Sequence, residues 1–104
     1  MASKYNNRKT FIDGIAFDSR KEASRYQILK EAEKAREIEN LRLQVRFELI
    51  PKHGKNRPIY YIADFVYLKE GREIVEDCKG YRTDIYKMKK KIFEWRYDTE
   101  ILET

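Results

Sequence analysis

In residues 41–50, which read LRLQVRFELI, apolar and polar side chains alternate from Leu41 to Leu49. Successive side chains of a strand point to opposite faces of a sheet, so this alternation predicts a strand with one buried and one outward face. The runs 59–68 (IYYIADFVYL) and 73–79 (EIVEDCK) are rich in β-branched and aromatic residues and also predict strands. A basic loop at 51–58 and a tight turn at 69–72 connect the three strands. Strands with such short links form an antiparallel meander, whose apolar faces must be covered by helices.

A hairpin and a helix precede the meander. Asp13-Gly14 lies between the short apolar runs TFI and IAF, which predicts a two-residue β-hairpin after a loose basic arm. Ser19 and Glu22 form a Ser-x-x-Glu helix start, and this helix is expected to end near Asn40. Its apolar face would consist of Ala23, Tyr26, Leu29, Ala32 and Ile38.

A second helix and a short strand follow the meander. Thr83 can cap a helix that runs to about Tyr97, and Ile101 with Leu102 can add a last strand. The core side of this helix would carry Ile85, Met88 and Ile92. After the N-terminal hairpin, the order helix-strand-strand-strand-helix-strand predicts an α+β fold.

Composition narrows the class of protein. A length of 104 residues fits one domain over 1–104, with the arm and hairpin in 1–18. The net charge of +5 suits a folded domain that meets a polyanion, although a solvated charged surface would have the same composition. The single cysteine, Cys78, allows no intramolecular disulfide, so a reducing cytoplasm is the expected compartment. No apolar run is long enough for a membrane span, and the first residues lack a signal-peptide core.

The two strands on either side of the tight turn bring acidic residues together. If the turn closes symmetrically, Asp64 lies directly opposite Asp77, and Lys79 shares a face with Asp77. Opposed carboxylates destabilise a sheet unless a cation lies between them, and Mg²⁺ prefers oxygen ligands. A loop of three or five residues would instead put Asp64 opposite Glu76 or Cys78.

The third acid, Glu22, has two possible roles. It follows Ser19 by three residues, which is the capping-box position at a helix start. It also lies on the same inward stripe as Tyr26 and Leu29, where a carboxylate needs a compensating partner such as a metal. Spacing supports the cap and the metal site equally. Asp64 is less ambiguous, because a single aspartate within the apolar run YIADFV is more often a functional residue than a surface charge without a role.

The chain resembles a known superfamily in these residues. An acid on the first helix (Glu22), an aspartate on a strand (Asp64) and acid-x-lysine on the next strand (Asp77 and Lys79) are similar to the PD-(D/E)XK nuclease pattern. The element order is also similar to the restriction-endonuclease-like core, although Ala63 stands where that pattern often has proline. The segments YNNRKTFIDGIAFDSRKEASRY, LRLQVRFELIP, YIADFVY, IVEDCKGYRT and YKMKKK resemble small phage and prophage endodeoxyribonucleases of the Holliday-junction-resolvase type.

That resemblance implies hydrolysis of DNA phosphodiesters with Mg²⁺, for which Mn²⁺ can substitute. Asp64 and Asp77 would hold the metal, Glu22 would complete or support the site, and Lys79 would orient the water or stabilise the developing charge. Gln44 would lie near the site and the DNA, although the alternation alone places it on the outward face of its strand. The expected substrate is branched DNA, cut by a homodimer in the host bacterial cytoplasm.

Basic residues supply candidate DNA contacts outside this site. His53 is the single histidine of the sequence and does not by itself make a metal site. The lysines of the second helix could contact DNA phosphates, or they could simply form a solvated helix face. The candidates are Lys52, Lys55 and Arg57 in the loop at 51–58, and Tyr86, Lys87 and Lys90 on the second helix.

Two other functions fit the sequence. A DNA-binding module could keep a nuclease-like fold without activity, although the intact set of acids and lysine argues against this. A nicking or site-specific endonuclease subunit of a larger phage or transposon machine is the second alternative. The small size argues against autonomous sequence reading, because few elements remain to enter a major groove.

Overall fold

A computed structural model describes residues 9–104, so the predicted basic arm lies almost wholly outside the described part. The order of elements is helix-strand-strand-strand-helix-strand after an N-terminal hairpin, which confirms the predicted α+β class. The elements are β1 (Thr10–Ile12), β2 (Ile15–Phe17), α1 (Arg20–Lys34), β3 (Glu39–Ile50), β4 (Ile59–Lys69), β5 (Arg72–Asp77), α2 (Asp84–Tyr97) and β6 (Ile101–Glu103). Within 9–104 no helix combines the length and apolar character needed to cross a bilayer.

The main sheet has the order β3-β4-β5-β6, and β1 pairs with β2 separately. β3, β4 and β5 form the predicted antiparallel meander, whereas β6 lies parallel to β5. The β4–β5 pairs run from Phe65 opposite Glu76 to Lys69 opposite Arg72. This is the symmetric register that the sequence predicts.

The turns of the β1–β2 and β4–β5 hairpins depend on residues with positive φ. Asp13 and Gly14 have φ of 55° and 76°, and Glu70 and Gly71 have φ of 51° and 76°. Two consecutive positive φ values are typical of the type I′ turn, whose twist matches that of the flanking strands. Each of these loops therefore has two residues, and this length fixes the register of the two strands.

The two helices cover opposite faces of the sheet. Along β4, Phe65 and Tyr67 pack on the α1 side, while Val66 between them packs on the α2 side. Burial of each large apolar side chain contributes about 1.5–3 kcal/mol. The α1 side also contains Phe17, Ala23, Tyr26 and Leu29, and the α2 side contains Leu49, Tyr61, Ala63, Val75, Tyr86 and Phe93.

The predicted end of α1 is wrong. The helix ends at Lys34 rather than near Asn40, and Arg36 has a left-handed φ of 62° just after the C-cap residue Ala35. A left-handed residue ends the helical path and turns the chain toward the sheet. Ile38 is buried as predicted, but it enters the core from the connection before β3.

The predicted core face of α2 is also wrong. Ile85 and Met88 are 63% and 53% exposed, and only Ile92 of the predicted three packs against the core. The buried residues are Tyr86 and Phe93, seven apart and therefore on one stripe of the helix. Their rings pack against Tyr61 and Phe47, and these contacts fix the rotation of α2.

Candidate active site

β3 changes face at Gln44. This residue has φ of 52°, in the left-handed region that side chains other than glycine seldom adopt. Leu43 before it packs on the α1 side of the sheet, whereas Val45 after it packs on the α2 side. The pairing of β3 with β4 sets Gln44 opposite Asp64. Gln44 is exposed, as the alternation predicts, but the turned backbone lets its amide reach the acids.

The Gln44 amide lies between two carboxylates from different elements. Its Nε2 donates to Oε1 of Glu22 and to Oδ1 of Asp64, at 3.3 Å each. Ser19 caps α1 by accepting from the backbone N–H of Glu22 at 3.1 Å. The Glu22 carboxylate is thus directed to the sheet, and only its backbone takes part in the cap. Glu22 and Asp64 are 8% and 5% exposed, so both acids are buried.

Asp77 lies at the end of β5 and is fully buried. Its Oδ2 accepts from the hydroxyl of Tyr61, and the neighbouring Cys78 N–H donates to Oδ2 of Asp64 at 2.9 Å. Within the described residues, Oδ1 of Asp77 is buried without a hydrogen-bond donor. Lys79 Nζ lies 3.3 Å from that oxygen, but it completes an ion pair without satisfying hydrogen-bond geometry. This oxygen is therefore held by the charge of Lys79 and by no hydrogen bond from the described residues.

Burial raises the pKa of Glu22 and of Asp77. Burial and the nearby Asp64 carboxylate raise the pKa of Glu22 to about 7. Burial raises the pKa of Asp77 to about 6 despite the hydrogen bond from Tyr61. Burial alone would lower the pKa of Lys79, but the charges of Asp77 and Asp64 outweigh it and raise that pKa, so the ammonium stays charged. One lysine does not balance three buried acids.

The donor set fits a hard divalent cation only in part. Among residues 9–104, no three His, Cys, Asp or Glu side chains converge into a complete metal site. Mg²⁺ is commonly held by one or two carboxylates, with waters and phosphate oxygens in the other positions. Oδ1 of Asp77, which accepts no hydrogen bond within the described part of the chain, and the nearby carboxylate of Asp64 are the two groups that would meet this smaller requirement. Glu22 lies beyond them, across the Gln44 amide.

The predicted DNA contacts divide into exposed and buried residues. Lys52, Lys55 and Arg57 are exposed at the tip of the β3–β4 hairpin, which the backbone pairing of His53 with Asn56 closes. Lys87 is also exposed.

Tyr86, which the sequence predicts as a DNA contact, is largely buried. Its ring packs beside Tyr61, and its hydroxyl donates to Glu103 Oε2 at 2.9 Å. Lys90 follows Tyr86 by four residues on the same face of α2, and its Nζ is paired with Glu103 Oε1 at 3.0 Å. The pair therefore links α2 to β6, and the Tyr86 ring also lies 5.8 Å from the Lys79 ammonium.

Sequence reasoning missed a buried ion pair behind the site. Glu76 points to the face opposite Asp77, where Arg25 donates to both of its carboxylate oxygens at 2.6 and 2.9 Å. Tyr67 and Thr104 complete the hydrogen bonds of Glu76 at 2.7 and 3.0 Å. The available signal was an arginine three residues after Glu22, on the inner side of the same helix.

Comparison with known proteins gives one family. A family model described as "Protein of unknown function (DUF1064)" matches residues 2–103, nearly the whole chain. No curated protein and no solved structure matches the chain.

Proposed function

The chain belongs to the DUF1064 family, and because the description of that family gives no activity, we propose from the site that the protein is a metal-dependent endodeoxyribonuclease. The observation that carries this proposal is the buried Asp77 Oδ1, which has no hydrogen-bond donor and lies 3.3 Å from the Lys79 ammonium. Asp64 and Asp77 each lie one residue beyond the last β4–β5 pair, Phe65 with Glu76, and Glu22 is joined to Asp64 through Gln44. An acid pair with an adjacent lysine is the arrangement expected for phosphodiester hydrolysis.

Each residue of the site has a separate task in this proposal. A divalent cation such as Mg²⁺ or Mn²⁺, bound by Asp64 and Asp77, would supply positive charge to the phosphate and acidify a bound water. The Lys79 ammonium would stabilise negative charge that builds up on the phosphate oxygens. Glu22, with its pKa of about 7, is suited to hold or accept a proton at neutral pH. Gln44 would hold the carboxylates of Glu22 and Asp64 in position by donating to both.

DNA as the substrate rests on charge and on the sequence resemblance. The chain carries a net charge of +5, and basic residues lie exposed on the β3–β4 hairpin. Cationic contacts to phosphates would position the strand without reading its sequence. Junction DNA and a homodimer remain predictions within this proposal, since resolving a junction requires two coordinated cuts.

The test is cleavage of end-labelled four-way junction, forked and linear duplex DNA in Mg²⁺, Mn²⁺ or EDTA. The variants are Asp77→Asn and Lys79→Met, with Glu100→Gln as an exposed control. We expect metal-dependent cutting that both site variants lose by at least about 100-fold, as for removal of a transition-state contact. The control should cut like the parent protein.

The cleavage pattern also separates the alternatives. Equal cutting of linear duplex would keep the nuclease and reject specificity for branched DNA. DNA binding without cutting under every metal condition would reject the nuclease in favour of a DNA-binding module.

A further inference from the structure

A groove opens beside the site where β4 and β5 separate. The two strands pair from Lys69 and Arg72 up to Phe65 and Glu76. Beyond Asp64, β4 continues along β3, whereas the chain after β5 leaves toward α2. The groove between these two arms has a volume of about 380 Å³, within the usual range of small-ligand sites of about 300–1,000 Å³.

The lining of this groove combines exposed apolar surface with positive charge. Tyr81, Ile85 and Ile62 line it and are 81%, 63% and 50% exposed. Lys79 and Lys89 line the same groove, and Lys79 also belongs to the acidic site. Large apolar side chains gathered at one exposed place mark a binding surface more often than chance. The ligand that fits this lining has a flat apolar face and a negative charge.

We propose that this groove binds one unpaired nucleotide of a DNA strand, next to the phosphate that is cut. The base would stack on Tyr81 between Ile62 and Ile85, and the phosphates would face Lys79 and Lys89. The assignment rests on the proposed nuclease function, because the ligand is taken to be a DNA strand that is cut at the acidic site beside Lys79.

Continuous duplex fits this groove less well than unpaired DNA. A base within a duplex has both faces covered by its neighbours, so it reaches a tyrosine only after unstacking, which costs a few kcal/mol. Contacts to an intact duplex backbone come from cationic and polar groups, and they would leave Tyr81, Ile62 and Ile85 in water. The groove therefore predicts a preference for DNA with an unpaired nucleotide at the cut.

The test compares Tyr81→Ala with Tyr81→Phe, which keeps the ring. Trp95→Ala is the matched control, because Trp95 is 82% exposed on α2 and does not line the groove. Binding of fluorescein-labelled duplex with a single-stranded flap, and of matched continuous duplex, is measured by anisotropy in Ca²⁺. A 2-aminopurine in the flap reports stacking through the loss of its fluorescence.

The expected result is tighter binding of the flap DNA by the parent protein. Tyr81→Ala should weaken that binding about tenfold and reduce the 2-aminopurine quenching, with duplex binding unchanged. Tyr81→Phe and Trp95→Ala should behave like the parent. Equal loss on both DNAs, no loss on either, or no binding of either DNA would overturn the groove assignment.

Cleavage in Mg²⁺ separates this assignment from the proposed function. Tyr81-dependent flap binding without any cleavage would reject the nuclease and support the groove as a nucleotide site. Cleavage of flap and duplex at equal rates, unaffected by Tyr81→Ala, would support the nuclease and overturn the groove.

Discussion

Glu22 contributes a free energy of folding that depends on pH. Its pKa is about 7 in the folded protein, because of burial and the Asp64 charge, and about 4.5 when unfolded. A raised pKa means that the folded state binds the proton more tightly. Its stabilising contribution is full below pH 4.5 and is lost as the pH rises through 7. At pH 8 the ionised Glu22 side chain therefore destabilises the fold relative to a neutral one.

We expect Glu22→Gln to match the parent protein in stability at pH 5 and to exceed it at pH 8. The gain should be about 1–3 kcal/mol, since one pKa unit corresponds to about 1.4 kcal/mol. Thermal unfolding in EDTA at both pH values measures it, with Glu100→Gln as an exposed control. Adding Mg²⁺ at pH 8 should narrow the gap by stabilising the parent. The same difference at both pH values would contradict the pKa of Glu22.

Gln44 marks the limit of what single residues reveal in the sequence. The alternating pattern of β3 continues through it, so nothing local signals its left-handed φ, which costs about 1–3 kcal/mol. Only the fold shows that the strand changes face there and that the amide reaches Glu22 and Asp64. The direction of the Glu22 carboxylate, toward Gln44 and not back to the helix cap, is likewise visible only in the fold. Both features depend on contacts about 20 residues apart in the chain.

At the scale of elements, one buried ion pair fastens α1 to β5. Glu76 is completely buried and accepts both hydrogen bonds of the Arg25 guanidinium. Arg25 follows Glu22 on the helix by three residues, and Glu76 precedes Asp77 on the strand. The pair therefore sets the distance between the elements that carry two of the acids.

Removing one partner of that pair should cost far more than removing both. We expect Arg25→Met to destabilise the protein by about 3–5 kcal/mol, because it leaves a buried carboxylate without its cation. The double variant Arg25→Met with Glu76→Met should recover much of this loss. Urea unfolding of the single and double variants measures the difference. Arg42→Met is the matched control, since its pair with Glu73 is exposed and contributes at most about 1 kcal/mol.

β6 is fastened to α2 by a second charged cluster. Burial alone would raise the pKa of Glu103, but hydrogen bonds from Arg82, Lys90 and Tyr86 outweigh it and lower that pKa to about 2. A lowered pKa stabilises the fold above the unfolded pKa of 4.5, and this stability is lost as the pH falls through 2.

Glu103→Gln should therefore destabilise the protein at pH 7 and have less effect as the pH falls. We expect a loss of about 1–2 kcal/mol at pH 7, reduced for the solvent that reaches this partly exposed side chain. Thermal unfolding of both proteins between pH 7 and pH 2 measures it. If the loss of stability stays constant over this range, Glu103 stabilises the fold through packing and not through its charge.

The sequence predicts the strands, the turns and the presence of α2. It does not predict which face of α2 packs on the sheet. The strands and two-residue turns follow from alternation and from Asp13-Gly14 and Gly71, so the register of β4 and β5 was predicted correctly. α2 carries two apolar stripes, and its sequence alone favours the wrong one, with Ile85 and Met88. Tertiary partners on β4 and β6 select the stripe that contains Tyr86. Local periodicity cannot identify such partners.

At the scale of the whole molecule, the β3–β4 hairpin extends positive charge away from the acids. Lys52, Lys55 and Arg57 are exposed at its tip, roughly 20–30 Å along β4 from Asp64 at about 3.3 Å per residue. That span corresponds to several base pairs of duplex. A strand held at the site would therefore meet the tip through phosphates distant from the cut.

Neutralising this tip should weaken binding of duplex DNA and reduce its dependence on salt. Each phosphate contact contributes about 0.9 to the slope of log affinity against log salt, so changing Lys52, Lys55 and Arg57 together to Gln should lower that slope by about 2–3. Anisotropy with a labelled duplex at several salt concentrations measures it. The matched control changes Lys34, Arg36 and Lys69 to Gln, since these exposed cations lie at the opposite end of the sheet. An equal fall of the slope in both triple variants would show that net charge alone drives binding, whereas no fall in either would place the duplex elsewhere on the surface.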